Sequence, residues 1–294
     1  TMKFYLSWNS APPDPPYWKW LPIDGILVSI TNLKKSKLLK RALLIGLPEL
    51  LGFHGEIFLD SGTYEEVMYG QGLRPRSPNE LLTFAEWLHV NLVAHLDTPF
   101  IGKYSKLSED EKWLLLRKNI INAEITHKLL KQGGFKVQVV YVIQGWNKES
   151  LTYCAEKLAR LNASYYALGS LVKLRPSEII SRVRIVREII GEKPKLHLFG
   201  VSKPEVVKQI KSLVDSIDSS TASIAGAMKE LIHSSGRRHI DRVKNSLRCN
   251  CPVCHQYRGA VLLIGKKGSQ KYYNQLRKIH NTYQLLKELR KALA

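Results

Sequence analysis

The sequence predicts an α/β protein: a (β/α)8 barrel followed by a smaller, cysteine-bearing C-terminal subdomain. Three observations carry that prediction. Short β-branched and aromatic runs alternate with longer amphipathic stretches over about the first 220 residues. The runs are continuously apolar rather than half polar, which suits a parallel sheet covered on both faces. Eight can be counted and no GxGxxG follows the first, so a closed barrel fits better than an open doubly wound sheet.

The strand candidates are KFYLSW (3–8), GILVSI (25–30), EIFLD (56–60), NLVAHLD (91–97), VQVVYVIQ (137–144), YYALGS (165–170), KLHLFGV (195–201) and VDSID (214–218). Helical patterns lie between them at 38–51, 108–130, 148–161, 177–190 and 204–213. The fourth helix opens on Pro176-Ser177 and carries apolar residues at 179, 180, 183, 186 and 190, one face of a 3.6-residue period. The Pro-rich APPDPPYW (11–18) reads as a loop or a short arm. A barrel over 1–228 and a basic subdomain with a closing helix over 229–294 account for the whole pattern.

Composition narrows the function classes. The chain has 294 residues, 44% hydrophobic and 24% charged, as expected of a globular protein with a sizeable core. It has no apolar run of about 18 residues, and TMKFYLSWNS lacks the charged-then-apolar layout of a signal peptide, so a cytoplasmic protein that does not engage membranes is expected. Four cysteines, three of them within 249–254, do not make a disulfide framework at this length; clustered thiols in a reducing compartment more often hold metal. Net charge is +20, and from Lys229 onward fifteen Lys/Arg face only Glu230, Asp241 and Glu288. A solvated basic surface would explain this blandly; a polyanionic partner, nucleic acid above all, explains its concentration at one end.

In a barrel, active sites sit where strands end. The third strand ends in Asp60, within DSGTYEE; the fourth in Asp97, within HLDTP; the fifth in Gln144-Gly145; the sixth in Gly169-Ser170; the eighth in Asp218, within DSIDSS. One aspartate after a strand is usually a helix cap or a loop hydrogen-bonder, but three on one rim with an amide and a glycine are harder to explain that way. Converging carboxylates suit substitution at an acetal-like carbon, one as nucleophile and one moving a proton. An Asp and a Gln beside exposed backbone suit the hydrogen-bonding edge of a planar heterocycle, with Tyr64 available to stack on its face.

DSGTYEE, LDTP, VIQG, YYALGSL, HLFGVS with the following IDSS, and Cys-x-Cys-x2-Cys-x25-His together resemble the tRNA-guanine transglycosylase superfamily over roughly residues 50–285. The order and spacing of these motifs are specific, although no short one is alone. The resemblance implies a TIM barrel with a zinc subdomain, and an enzyme that exchanges a guanine in a polynucleotide for a 7-deazaguanine base. It implies Asp218 as the nucleophile on the ribose C1′ and Asp60 as general acid/base. It places Ser61, Asp97, Gln144, Gly145, Gly169 and Ser170 around the base, with Tyr64 stacked on it. The implied mechanism is a double displacement through a covalent Asp218–ribose adduct, without ATP or redox cofactor, and a homodimer is common in the superfamily.

Cys249, Cys251, Cys254 and His280 supply three thiolates and an imidazole, a complete tetrahedral set for a structural Zn2+. His280 lies in an amphipathic stretch with apolar residues at 276, 279, 283, 286 and 289, so the metal would tie the last loop to the C-terminal helix. His255 is a rival ligand too close to Cys254 to complete the set easily, and Cys154 reads as a core residue. SSGRRHIDRVKNSLR and LLIGKKGSQKYY would grip phosphates.

Departures from the family shape the expected substrate. Ser170 stands where many members have a second glycine, Glu65 stands where Gln is usual, and Arg175 aligns with a glutamate that favours an aminomethyl-bearing base. A neutral 7-cyano-7-deazaguanine (preQ0) is therefore the expected incoming base. With the sequence ending soon after the zinc site, the C-terminal RNA-binding domains of archaeal tRNA enzymes are expected to be absent, and the polymer is expected to be tRNA by family precedent or DNA by that economy. A non-catalytic RNA-binding subunit, or a basic barrel acting on a smaller glycoside, are the alternatives from other classes.

Overall fold

The structure, a computed structural model, describes residues 2–70, 73–233, 236–243, 249–265 and 270–294. Its centre is a closed, all-parallel barrel of eight strands: β1 (Lys3–Ser7), β2 (Gly25–Ser29), β3 (Glu56–Asp60), β4 (Leu92–Ala94), β5 (Gln138–Ile143), β6 (Tyr165–Leu168), β7 (Lys195–Leu198) and β8 (Ser216–Ser219). Pairing of β1 with β8 closes the ring and sets Tyr5 opposite Asp218. Each expected strand is present, trimmed or shifted by a few residues where the chain turns toward a loop.

The helices are α1 (Ile30–Lys34), α2 (Leu39–Ile45), α3 (Leu47–Leu51), α4 (Thr63–Tyr69), α5 (Pro78–Trp87), α6 (Glu109–Lys131), α7 (Lys148–Ala159), α8 (Pro176–Ile190), α9 (Pro204–Ile210), α10 (Thr221–Ala227), α11 (Pro252–Tyr257) and α12 (Gln270–Leu293). α6 starts where the sequence says it should, because Ser108 and Glu111 form a reciprocal capping box. The single helix expected over 38–51 is instead two. Gly46, at φ 82° and ψ 156°, breaks it, and Pro48 in the first turn of α3 cannot donate back across the break. A side chain at Gly46 would meet the His89 ring at 2.5 Å, so the break also lets α5's C-terminal turn approach. A hairpin of β9 (Glu230–His233) and β10 (Gly236–His239), absent from the sequence reading, follows α10.

Period-two alternation explains the two cores. Tyr5, Phe58, Leu92, Ala94, Val140, Val142, Tyr165 and Ala167 form a separate cluster inside the barrel. The intervening strand residues join the helices in one larger cluster that runs from Met2 to Leu289. α12 packs on α9, α10 and β9 and takes its place in the helical layer. Two of the charges that the sequence assigns to a basic face are used inside instead. Lys278 pairs with buried Asp14 of the Pro-rich loop, and fully buried Arg277 donates to the Leu262 and Ile264 carbonyls, each at 3.0 Å. Among the described residues no helix is long and apolar enough to cross a membrane.

Candidate active site and metal cluster

The inward parity of the lumen continues to the C-terminal ends of the strands. Phe58 is followed two residues on by Asp60, Val142 by Gln144, Ala167 by Gly169, and Ser216 by Asp218. A two-residue step preserves the face, so the last inward residue of each strand points over the barrel mouth. Asp97 arrives differently, from the loop just beyond β4. That loop is held by Asn119 of α6, whose side chain accepts from Thr98 N–H and donates to Thr98 C=O, both at 2.9 Å. Asn122 adds a bond to the Leu96 carbonyl at 2.9 Å.

One half of the rim is a hydrogen-bonded cradle. Asp97, 6% exposed, accepts from Gln144 Nε2 at 2.6 Å and from Ser61 Oγ at 3.2 Å. Gln144 Oε1 accepts from Ser170 Oγ at 2.6 Å, and that oxygen accepts from Phe100 N–H at 2.7 Å. These partners fix which end of the Gln144 amide is which. Gly169 must be glycine because a Cβ there would lie 2.3 Å from Gln144 Nε2. Burial pushes the Asp97 carboxyl up to about 6, against the pull of its bonds from Gln144 and Ser61.

The other half centres on Asp218, also 6% exposed. Its Oδ1 accepts from Gly200 N–H at 2.8 Å and lies 3.3 Å from His197 Nε2; among the described residues its Oδ2 has one contact, a long one of 3.4 Å from Ser7 Oγ. Asp60 ends β3, and its Oδ2 accepts from Gly62 N–H at 3.3 Å. Tyr64, in the first turn of α4, is 38% exposed beside that strand end. Gly145 does not present its carbonyl to the rim: Arg182 Nη1 takes it at 2.8 Å, and the absent side chain makes room for the Leu151 backbone at 2.6 Å. Glu65's side chain lies outside the described residues.

Two surface depressions, of about 430 and 460 Å3, lie at the opposite end of the barrel, lined by Met2, Arg187 and Asp215 and by Glu56, Asn91 and Gln138 respectively. They hold none of the rim's converging groups. The carboxylate rim is the better candidate because strand ends, not strand starts, aim several side chains at one point.

Cys249, Cys251, Cys254 and His280 converge, with their ligand atoms within 4.8 Å of one another, close enough to hold one metal ion. The three sulfurs stand 3.5, 3.3 and 3.7 Å from His280 Nδ1. A tetrahedron with metal–sulfur bonds of ~2.3 Å and metal–nitrogen bonds of ~2.0 Å has edges of about 3.5 Å, so the set fits zinc-like geometry. The thiols also perturb one another: contacts with Cys251 and Cys254 pull Cys249 far down, and Cys249 pushes Cys254 up, a sharing of negative charge that a cation would complete. His255 is exposed and not in the group. Cys154 is fully buried, its thiol raised to about 12 by burial, as a core residue should be.

Of the basic stretches, Arg237, Arg238, Arg242 and Lys271 are exposed, as is Arg258 between them. Residues 234–235, 244–248 and 266–269 of those stretches lie outside the described residues. The sequence reading passed over Ser7, His197 and Asn119. The first two had a signal: each is a polar residue at an inward position of an otherwise apolar strand. Asn119 sits mid-helix, and nothing local marks it.

Comparison with known proteins brings the rim and the cluster together. A sequence model of the family described as Queuine tRNA-ribosyltransferase matches residues 23–293. A tRNA-guanine(15) transglycosylase of Methanosarcina mazei is 29% identical over 278 residues, covering 90% of this chain and 54% of that protein. One of Methanococcus aeolicus is 26% identical over 254 residues, covering 83% and 37%, and one of Thermococcus onnurineus 26% over 277, covering 90% and 45%. The chain thus spans about half, or less, of the length of these curated relatives.

Proposed function

The chain belongs to the Queuine tRNA-ribosyltransferase family, within the tRNA-guanine transglycosylase superfamily, and from that premise we propose that it is a guanine transglycosylase acting on a polynucleotide, tRNA in the first instance. The observation that carries the reading is the division of the rim: a cradle of Asp97, Gln144 and Ser170 suited to a purine edge, and apart from it a carboxylate with one oxygen held and one available. An ionised Asp97 accepts from the N–H groups of a guanine-like base, and the Gly169-Ser170 backbone and Gln144 complete the edge. Tyr64 covers the base's face.

In the proposed mechanism Asp218 Oδ2 bonds to the ribose C1′ as the C1′–N9 bond breaks, its electron pair leaving with guanine. Asp60 supplies the proton that the departing base needs. The incoming deazaguanine then gives its N9 proton to Asp60 and attacks C1′, releasing Asp218. Arg175, exposed at the start of α8, disfavours a cationic base, which supports preQ0 over its aminomethyl analogue. Zn2+ on Cys249, Cys251, Cys254 and His280 would be structural, since four protein ligands leave no open position. The exposed arginines of β10 and its surroundings would hold phosphates of the polynucleotide.

The test is retention of radiolabelled guanine by unmodified tRNA and, separately, by double-stranded DNA. Label in tRNA is the expected result; label only in DNA would move the enzyme to DNA modification. Label in neither polymer would sink the reading in favour of a non-catalytic role. Base exchange that clearly preferred the aminomethyl analogue would overturn the preQ0 assignment.

A further inference from the structure

His197 is fully buried at an inward position of β7, and its Nε2 makes no hydrogen bond of good geometry. That nitrogen lies 3.3 Å from Asp218 Oδ1. On the ring's other side, Nδ1 is 2.8 Å from Ser216 Oγ, which is itself 2.7 Å from the Tyr165 hydroxyl. The rings of Tyr5, Phe58 and Phe199 stand 5.8, 5.1 and 4.6 Å from the imidazole, so the chain runs through the dry interior of the barrel.

We propose that Tyr165, Ser216 and His197 form a one-way hydrogen-bond relay that fixes the imidazole as its Nε2–H tautomer and so orients Asp218, making His197 a positioning residue for the nucleophile. The proposal rests on the reading of Asp218 as that nucleophile, and its direction follows from counting donors. A carboxylate can only accept, so Nε2 must carry the proton facing it. In the proposed Nε2–H tautomer Nδ1 has only a lone pair, and Ser216 donates to it. The serine oxygen is left to accept from Tyr165, whose phenol burial holds up at about 12 and therefore protonated. Together with the Gly200 N–H, the relay engages Oδ1 and leaves Oδ2 as the attacking oxygen. A contact of 3.3 Å is long for a hydrogen bond, but such contacts commonly tighten when substrate arrives.

Two measurements test the relay. The first is the 15N–1H correlation spectrum of histidine-labelled protein, with the His197 signal assigned by its loss in His197→Gln. The expected signal has a pyrrole-like Nε2 and a pyridine-like Nδ1, and Ser216→Ala should shift it toward the other tautomer. A pyridine-like Nε2 in the unaltered protein would overturn the proposal whatever the activity shows. The second is the single-turnover rate of denaturant-stable adduct formation. His197→Phe, which keeps the volume, should slow it roughly 10- to 100-fold, the worth of a hydrogen bond to a charged group, with polymer binding unchanged. His197→Gln, whose amide can reach Oδ1, should recover most of that loss, and Tyr165→Phe should cost only about 3-fold. Equal rates for His197→Phe and the unaltered enzyme would also refute the relay. If the unaltered enzyme forms no adduct on either tRNA or DNA, the nucleophile assignment fails, and the ring signal still decides the relay.

Discussion

The barrel rim and the Cys/His cluster both gather reactive side chains from distant points of the chain, but they are held by different forces. Rim residues come from Ser7 to Asp218, and most sit at or just beyond the end of a strand whose neighbours are fixed by ladder hydrogen bonds on both sides. The cluster has four residues from two segments, 249–254, which runs into the six-residue α11, and α12; among the described residues no sheet passes through it. A rim built this way keeps its geometry when one side chain is removed. A cluster of thiols keeps its geometry only while something neutralises and joins them. Substitution should therefore separate chemistry from folding at the rim and merge them at the cluster.

The largest expected effect is at the rim. Asp218→Asn should abolish adduct formation, a loss on the order of 10^3-fold or more in rate, since the proposed mechanism gives the covalent step no other nucleophile. Its melting temperature and its salt-sensitive affinity for tRNA should stay close to those of the unaltered protein. An adduct trapped on the variant in a denaturing gel would reassign the nucleophile; a protein that no longer folds would deny the rim the independence argued here.

The next effect is the reverse case. Removing the metal with a chelator, or Cys254→Ser, should lower the melting temperature by on the order of 10 °C, several kcal/mol for a chain of this length. Hydrogen exchange should rise first over 230–294 and then at α9, because α12 shares the main core through Leu276, Ile279, Leu286 and Leu289. Exchange that rose evenly over the whole barrel would mean that cluster and barrel unfold as one unit. Loss of activity with no change in melting would make the metal something other than a staple.

The same contrast explains what could be read in the sequence. Strand ends were legible because alternation is local: once GILVSI and EIFLD are strands, Asp60 must share a face with Phe58. The cluster was legible because Cys-x-Cys-x2-Cys is short and its chemistry narrow. What escaped were pairings between segments far apart. Nothing near Asp14 says that its carboxylate meets Lys278 and draws one of the C-terminal basic residues into a buried ion pair. Nothing near Asn119 says that it clamps the loop bearing Asp97. The broken helix at Gly46 was a local signal overridden by a good apolar period on both sides of it. His197 stood in plain view at an inward parity, but its meaning depends on Ser216 and Asp218, which only the barrel register sets beside it.

Asp97 sharpens the rim's side of the comparison, with a smaller effect on folding. Its folded pKa, about 6, lies above the 3.8 of an unhindered aspartate, because burial disfavours the charge. The folded state therefore binds the proton more tightly than the unfolded one. This group's contribution to stability is full below about pH 3.8 and is lost as pH rises through 6, reaching on the order of 3 kcal/mol at neutral pH. Asp97→Asn should accordingly melt several degrees higher at pH 7.5, with the gain shrinking toward pH 4, while losing most affinity for guanine. A variant that melted lower at neutral pH would show that the Gln144 and Ser61 bonds outweigh burial. Base affinity of the unaltered protein should fall below about pH 6 as the carboxylate that accepts from the base is protonated.

The smallest effect is expected at Ser170, where the family resemblance implies a second glycine. The residue sits at φ 54°, the left-handed region that costs a side-chain-bearing residue roughly 1–2 kcal/mol relative to glycine. Against that, its hydroxyl donates to Gln144 Oε1 and accepts from Phe100 N–H, two bonds of about 1 kcal/mol each. The terms nearly cancel, so Ser170→Gly should leave the melting temperature within about 2 °C. What should change is selectivity, because the hydroxyl shares with Asp97 the task of keeping the Gln144 amide from turning over. With it gone, the preference for guanine-type bases over their 2-deamino analogues should fall by about 3- to 5-fold in competition assays, without loss of turnover on guanine itself. A variant as selective as the unaltered enzyme would mean that Asp97 alone holds the amide. A strongly stabilised variant would mean that the strain is larger than the bonds that offset it.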